Sequence, residues 1–179
     1  MKTILQAFRL LVLLTILTGF VYPVAVTLAA KLAFPNQASG SVVARDGKAV
    51  GSVLLAQKFE SPRYFWPRPS AGDFATVPSG ASNLGPTSEA LKKAIAERRA
   101  KFGEDAPEEM LTASASGLDP HISPLAASQQ VARVAAARQL APERVAALVA
   151  EVTEPPQYGI FGEPRVNVLI LNLQLDALK

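Results

Sequence analysis

One short segment brings together the residue types that a hydrolase uses. Asp119 and His121 lie two residues apart, His121 is the only histidine, and serines flank them on both sides. A serine hydrolase needs a nucleophile held by a base that an acid orients. Nothing like a nucleophile elbow surrounds these residues, and Ser123-Pro124 is typical of a helix N-cap followed by proline at N1. We therefore favour a structured turn that ends in a helix cap. The alternative is an exported, membrane-anchored hydrolase that uses a serine, His121 and Asp119.

A second segment could bind an anion through backbone amides. The loop Ser82–Pro86 consists of small and turn-forming residues whose free amides could surround a phosphate. It lacks the lysine of a P-loop and the spacing of GxGxxG. One histidine without cysteines is a poor metal site, so we predict no metal ligands. Since no triad is visible around His121 either, we predict no catalytic residues. The candidate nucleotide or partner contacts are Ser82, Asn83, Gly85, Asp119 and His121.

An aromatic loop, residues 63–71, is the candidate interaction loop. It holds the only tryptophan, and its two prolines exclude a regular helix and a central strand. Tyrosine, tryptophan and arginine dominate binding hot spots, so this loop could contact a partner. We favour the other interpretation, in which the rings pack on the core of the domain with Arg68 over one of them. The residues concerned are Tyr64, Phe65, Trp66 and Arg68.

An uncharged apolar run near the N-terminus determines where these groups lie. Leu10–Ala30 has the length of about 20 residues that a helix needs to cross a bilayer. A cleaved secretory signal is the competitor, but its apolar region is usually only about 7–15 residues long. Lys2 and Arg9 precede the run and Lys31 follows it, so the positive-inside rule places the N-terminus in the cytoplasm. We predict a cytoplasmic segment at 1–9, a transmembrane helix at 10–33 and one extracytoplasmic domain at 34–179.

Composition excludes several classes of function. Lys2, Arg9 and Lys31 account for the whole formal net charge of +3, so the rest of the chain is neutral. A neutral domain argues against a nucleic-acid partner held through the phosphate backbone. The absence of cysteine excludes disulfides, thiolate metal sites and cysteine nucleophiles.

The remaining pattern predicts an α+β domain. Asp46-Gly47 between two apolar runs indicates a β-hairpin with a type I′ turn. Two alanine-rich helices in succession could be a helix-turn-helix of a membrane-anchored regulator, but the neutral charge favours a simple αα-hairpin. Apolar β-branched residues near the C-terminus indicate a central strand. These elements form a small, largely antiparallel sheet packed by helices. The predicted ranges are strands at 42–45 and 48–55, helices at 88–102, 124–140 and 142–152, and the strand at 166–176.

Four motifs in order along the chain carry a family resemblance. They are YFWPRPSA at 64–71, SNLGP at 82–86, SGLDPHISP at 116–124 and GEPRVNVLxLN at 162–172. Together with the apolar run, they make the chain resemble the C subunit of the bacterial Kdp potassium-transporting P-type ATPase. One departure is Ala81, where the family more often has glycine, and this makes an anion-binding role for the neighbouring loop less secure.

The resemblance implies a single-span accessory subunit of the bacterial cytoplasmic (inner) membrane, without a catalytic site or a bound cofactor of its own. Its expected partners are a channel-like potassium-translocating subunit, an ATP-hydrolysing P-type subunit, a small single-span subunit and membrane lipid. The family is described as assisting assembly and as a catalytic chaperone that raises the ATP affinity of the pump subunit. ATP would then act through the complex. The Asp-Lys-Thr-Gly phosphorylation motif is absent from this sequence, so phosphoryl transfer must occur on another chain.

Overall fold

The computed structural model describes residues 2–178. Met1 and Lys179 lie outside the described residues. They are the first residue of the predicted cytoplasmic segment and the last residue of the predicted extracytoplasmic domain. The chain divides after Val42 into an N-terminal helical unit and an α+β domain. The helices are α1 (Lys2–Ile16), α2 (Tyr22–Ala33), α3 (Pro35–Ala38), α4 (Glu89–Phe102), α5 (Glu108–Leu111), α6 (Pro124–Arg138), α7 (Pro142–Val152) and α8 (Val168–Ala177). The strands are β1 (Val42–Arg45), β2 (Lys48–Ser52), β3 (His121–Ile122), β4 (Thr153–Glu154) and β5 (Arg165–Asn167).

Most of the N-terminal unit is a continuous apolar helix that is long enough to cross a membrane. It runs over Lys2–Ala33 with a mean hydropathy of 2.2, and none of it is buried against protein. A five-residue π-helical turn, Leu17–Val21, joins α1 to α2. Pro23 explains this turn, because proline has no N–H to donate and its ring clashes with the carbonyl of the residue four positions earlier. Widening the turn relieves that clash without ending the helix.

The predicted hairpin is confirmed at β1 and β2. Asp46 and Gly47 have φ angles of 52° and 75°, as a type I′ turn requires at both central positions. The second strand ends at Ser52 rather than at Leu55.

The three predicted helices of the domain are also confirmed, together with the signals that start and stop them. Ser88 Oγ accepts a hydrogen bond from Leu91 N (3.4 Å) at the start of α4, and Gly103 ends that helix with a φ of 103°. Ser123 Oγ accepts from Ala126 N (3.1 Å) at the start of α6. These hydroxyls satisfy amides that have no partner within the helix.

The predicted strand at 166–176 is wrong beyond Asn167. Residues from Val168 onward form the helix α8, and Asn167 Oδ1 caps it by accepting from Ile170 N (3.2 Å). The alternation of Leu173, Gln174 and Leu175 suggested a strand, yet leucine and glutamine are strong helix formers. The buried positions of this segment follow a helical rather than an alternating period. They are Val168, Leu169, Leu171, Asn172 and Leu175.

The fold is α+β, as predicted, with two small antiparallel sheets and helices packed against them. The second sheet has the order β3-β5-β4, so β5 is its central strand. His121 pairs with Asn167, and Thr153 pairs with Val166 on the other side. The main core lies between this sheet, the aromatic loop and helices α6, α7 and α8. Its largest fully buried side chains include Phe65, Met110, Ile122, Leu171 and Leu175.

Candidate functional site

Two buried amide side chains hold the aromatic loop. Asn172 on α8 accepts from Phe65 N (2.8 Å) and donates to Phe65 O (3.0 Å). Gln130 on α6 does the same for Trp66, accepting from its N at 2.8 Å and donating to its O at 3.1 Å. Each amide side chain supplies one donor and one acceptor. It therefore forms the two backbone hydrogen bonds that a neighbouring strand would otherwise provide, and the prolines exclude this loop from a central position in a sheet. The loop is therefore fixed on the helices.

Two cations lie over the Trp66 indole. Arg133 Cζ is 3.7 Å from the ring centroid and Lys101 Nζ is 4.3 Å from it. Arg133 Nη1 also donates to Tyr64 O at 3.0 Å, which ties the guanidinium to the loop backbone. Burial lowers the pKa of Arg133 to about 10, so the group stays charged at neutral pH. Arg133 thus combines a cation–π contact with backbone hydrogen bonds.

A second arginine performs the same task at Tyr64. Arg138 Cζ lies 4.8 Å from the centre of the Tyr64 ring, and its Nε donates to Arg63 O at 2.7 Å. Asp176 accepts from Arg138 Nη2 at 2.6 Å and from the Tyr64 hydroxyl at 3.2 Å. The cation–π contacts of the loop are thus made by Lys101, Arg133 and Arg138, and the expectation of Arg68 over a ring is wrong.

Arg68 instead joins the aromatic loop to the segment with the histidine. Its Nη1 lies 3.0 Å from Asp119 Oδ2, and Asp119 Oδ1 accepts from His121 N at 3.0 Å. The pair borders an open cleft of about 770 Å³, which is also lined by Ser79, Gly80, Ser114 and Ser116 among others. Arg68 Nε is buried without a hydrogen-bond partner among the described residues. The structure thus places Arg68 and Asp119, which the sequence assigned to two separate motifs, in one site.

His121 is packed into the sheet. Its Nε2 lies 3.5 Å from Asn167 Nδ2, which also donates to Val53 O at 2.8 Å, and its Nδ1 lies 4.0 Å from Asp119 Oδ1. Burial lowers the pKa of His121 and the charge of Arg165 lowers it further, whereas Glu154 and Asp119 act in the opposite direction. The imidazole faces an amide and a carboxylate that is already paired with a cation. This is not the arrangement of a nucleophile, base and acid.

The loop Ser82–Pro86 does not line this cleft. All of its residues are exposed, and Asn83 has a φ of 54°. Gly85 O accepts from Ser88 N (3.0 Å), so the loop leads directly into the cap of α4. Among the described residues that line the cleft, Ser79 and Gly80 are present but Ser82, Asn83 and Gly85 are not. The candidate contact residues are therefore not brought together at one pocket.

Several residues that build this site were not found from the sequence. The aromatic loop is held by four residues that lie 64 or more positions along the chain from the loop residues to which they bond: Gln130, Arg133, Arg138 and Asn172. A signal was available, because Gln130 and Asn172 are amides on apolar helix faces, and a polar group there needs a buried partner. No group of three or more potential ligands for a metal ion occurs within residues 2–178.

Comparisons with known proteins give one family. The family model KdpC, described as "K+-transporting ATPase, c chain", matches residues 4–177. A protein of Polaromonas naphthalenivorans named "Potassium-transporting ATPase KdpC subunit" is 55% identical, over 100% of this chain and 97% of its own length. Proteins with the same name from Dechloromonas aromatica and Sorangium cellulosum are 51% and 52% identical. These alignments cover 99% and 97% of this chain, and 99% and 96% of the relatives.

Proposed function

The chain belongs to the KdpC family of K⁺-transporting ATPase c chains, and from that premise we propose that it is a non-catalytic accessory subunit that stabilises the assembled pump. In this proposal its partners are a potassium-translocating subunit, an ATP-hydrolysing P-type subunit and a small single-span subunit. It raises the affinity of the ATP-hydrolysing subunit for ATP without performing a reaction itself.

The observation that carries this proposal is the use of the chain's most reactive groups in structural contacts. Asp119 is bonded to the Arg68 guanidinium and to the backbone of His121, and the imidazole packs against Asn167. A general base must be free to take a proton from a nucleophile at hydrogen-bonding distance. The same contacts instead join the aromatic loop to the sheet. Such a rigid, preorganised domain suits binding, because little conformational entropy is lost on association.

The apolar helix supports a membrane location for the proposed subunit. Its 32 residues are long enough to span a bilayer, and none is buried against protein. Lys2 and Arg9 favour a cytoplasmic N-terminus, with the α+β domain outside the inner membrane. The small residue Gly19 in this helix suits close packing against other transmembrane helices.

This orientation makes the effect on ATP indirect. ATP is cytoplasmic, whereas only the residues up to Arg9 of this chain would face the cytoplasm. So few residues cannot form a pocket that covers most of a nucleotide. The subunit would instead stabilise the pump conformation that binds ATP better, which is a coupling free energy between two separate sites.

The test is co-purification from membranes that contain the other chains of the ATPase. The tagged full-length chain should retain them in detergent, and the purified chain alone should not hydrolyse ATP or model esters. A His121→Asn variant should retain the same partners and support the same ATPase activity, since the histidine has no catalytic role. Hydrolysis by the purified chain that is lost in His121→Asn would instead establish the hydrolase alternative.

A further inference from the structure

A hairpin between β4 and β5 carries three strongly exposed large apolar side chains close together in the α+β domain. Strands β4 and β5 pair at their bases, Thr153 with Val166 and Glu154 with Arg165, so residues 155–164 extend beyond the sheet. We call residues 157–161 the hairpin tip. Tyr158, Ile160 and Phe161 of this tip are 85%, 78% and 65% exposed. Single exposed apolar residues are ordinary on a protein surface, but three within four positions mark an interaction site.

Backbone hydrogen bonds fix the shape of the tip. Gln157 N donates to Phe161 O at 2.9 Å, and Phe161 N donates to Gln157 O at 3.0 Å. Tyr158 and Gly159 both have positive φ angles, 55° and 74°, and so close a tight turn. At the base, Arg165 Nε and Nη2 each lie 2.9 Å from Glu154 Oε2. The apolar side chains are therefore presented on a rigid support, and their binding costs little ordering of the backbone.

The charge of the hairpin identifies the kind of surface that it fits. Residues 155–164 contain no lysine or arginine and one acidic residue, Glu163, which is exposed and forms no ion pair with any described residue. Segments that lie at a membrane surface commonly carry lysine and arginine, because these residues are attracted to the anionic fraction of the lipid headgroups, whereas a carboxylate is repelled by it. An acidic hairpin with an apolar tip is matched by a protein pocket with apolar walls and a basic rim.

We infer that the hairpin tip inserts Tyr158, Ile160 and Phe161 into an apolar pocket with a basic rim on another chain of the same ATPase, and that Glu163 pairs with that rim. The inference rests on the proposed function, because the family description "c chain" implies that the ATPase has other chains for the hairpin to contact. It adds the surface that makes the contact. Aromatic residues at the centre of such a contact carry most of the binding energy, and Tyr is enriched among them.

The apolar part of the contact is tested by a triple substitution at the tip. Tyr158→Asn, Ile160→Thr and Phe161→Thr remove the apolar surface while keeping residue types that tolerate a positive φ or an extended backbone. The tagged full-length variant, co-expressed with the other ATPase chains, should bind them about tenfold or more weakly. The matched control is Leu125→Ser, which removes an exposed leucine from helix α6 and should retain the partners fully.

A thermal unfolding curve of each full-length variant in detergent shows whether folding is intact. Because the three side chains are exposed and none belongs to the core cluster, the triple variant should unfold at the temperature of the wild type. If the wild type itself retains no partner, the proposed function fails. If the wild type and the triple variant retain the partners equally, only the inference about the hairpin is overturned.

Substitutions of Glu163 distinguish binding to a protein pocket from binding to a bilayer. Glu163→Lys should weaken retention of the other chains, and Glu163→Gln should make retention less dependent on salt. Binding to lipid is measured as protection of the hairpin from protease, with the full-length chain reconstituted in vesicles of phosphatidylglycerol and phosphatidylethanolamine. This measurement reports on the hairpin itself, whereas binding of the whole chain to vesicles would also reflect its apolar helix. Stronger protection in Glu163→Lys, with unchanged retention of partners, would assign the hairpin to the bilayer and overturn the inference.

Discussion

The amide of Asn172 gives the most quantitative prediction. It is 2% exposed and bonds both backbone groups of Phe65, a residue that is fully buried. Asn172→Leu keeps a similar shape but leaves one buried N–H and one buried C=O without partners. Each such group costs about 1–3 kcal/mol, so the variant should lose about 2–6 kcal/mol of unfolding free energy. Since small domains have only about 5–15 kcal/mol in total, this is a large fraction of the stability.

Urea unfolding of the full-length chain in detergent measures this loss. Trp66 is the only tryptophan and follows Phe65, so its fluorescence reports directly on the aromatic loop. Gln129→Leu is the control, because the Gln129 side chain is exposed and donates a surface hydrogen bond to Asp105 O. It should change the unfolding free energy by less than about 0.5 kcal/mol. A loss below about 1 kcal/mol in Asn172→Leu would refute the argument that the paired amide determines the loop conformation.

Three further predictions concern the cleft, the histidine and the apolar helix. Arg68→Gln should lower the free energy of unfolding in urea by about 1 kcal/mol or less, because the side chains of its ion pair with Asp119 are 26% and 30% exposed. A double-mutant cycle with Asp119→Asn should show a coupling of similar size. Because burial lowers the pKa of His121, the folded state binds a proton at this imidazole less readily than the unfolded state does. The free energy of unfolding should therefore decrease as the pH falls below the ordinary histidine pKa of 6.5. His121→Asn should flatten this dependence in unfolding curves recorded between about pH 8 and pH 5. Gly19→Leu should reduce co-purification of the other ATPase chains more than Leu11→Ala does, since it removes a site of close helix approach, and equal retention would count against packing at Gly19.

Much of the fold follows from local signals in the sequence. Asp46-Gly47 fixed the hairpin turn because few residue pairs adopt two positive φ angles. Ser88 and Ser123 marked helix starts because their hydroxyls satisfy unpaired amides. The family motifs identified the chain as a KdpC subunit, which the comparisons confirm.

The errors arose where the outcome depended on distant residues. The strand predicted over 166–176 becomes α8 because Asn167 caps a helix whose apolar face completes the core against α7 and β5. The partners of the aromatic loop could not be paired from the sequence, since Asn172 and Gln130 meet it only through the packing of α8 and α6. Arg68 was expected over an aromatic ring, but it pairs with the carboxylate of Asp119, which lies 51 positions away along the chain and could not be identified as its partner from the sequence.

The central proposal is that this chain raises the ATP affinity of the ATP-hydrolysing subunit without binding ATP itself. The most direct measurement is the ATP concentration at half-maximal K⁺-stimulated hydrolysis, recorded while the purified full-length chain is titrated into a complex that lacks it. The account predicts that this concentration falls as the wild-type chain is added, and that Asn83→Ala lowers it equally. An unchanged half-saturating concentration would contradict the claim. A fall that Asn83→Ala abolishes would show that the chain contacts the nucleotide directly.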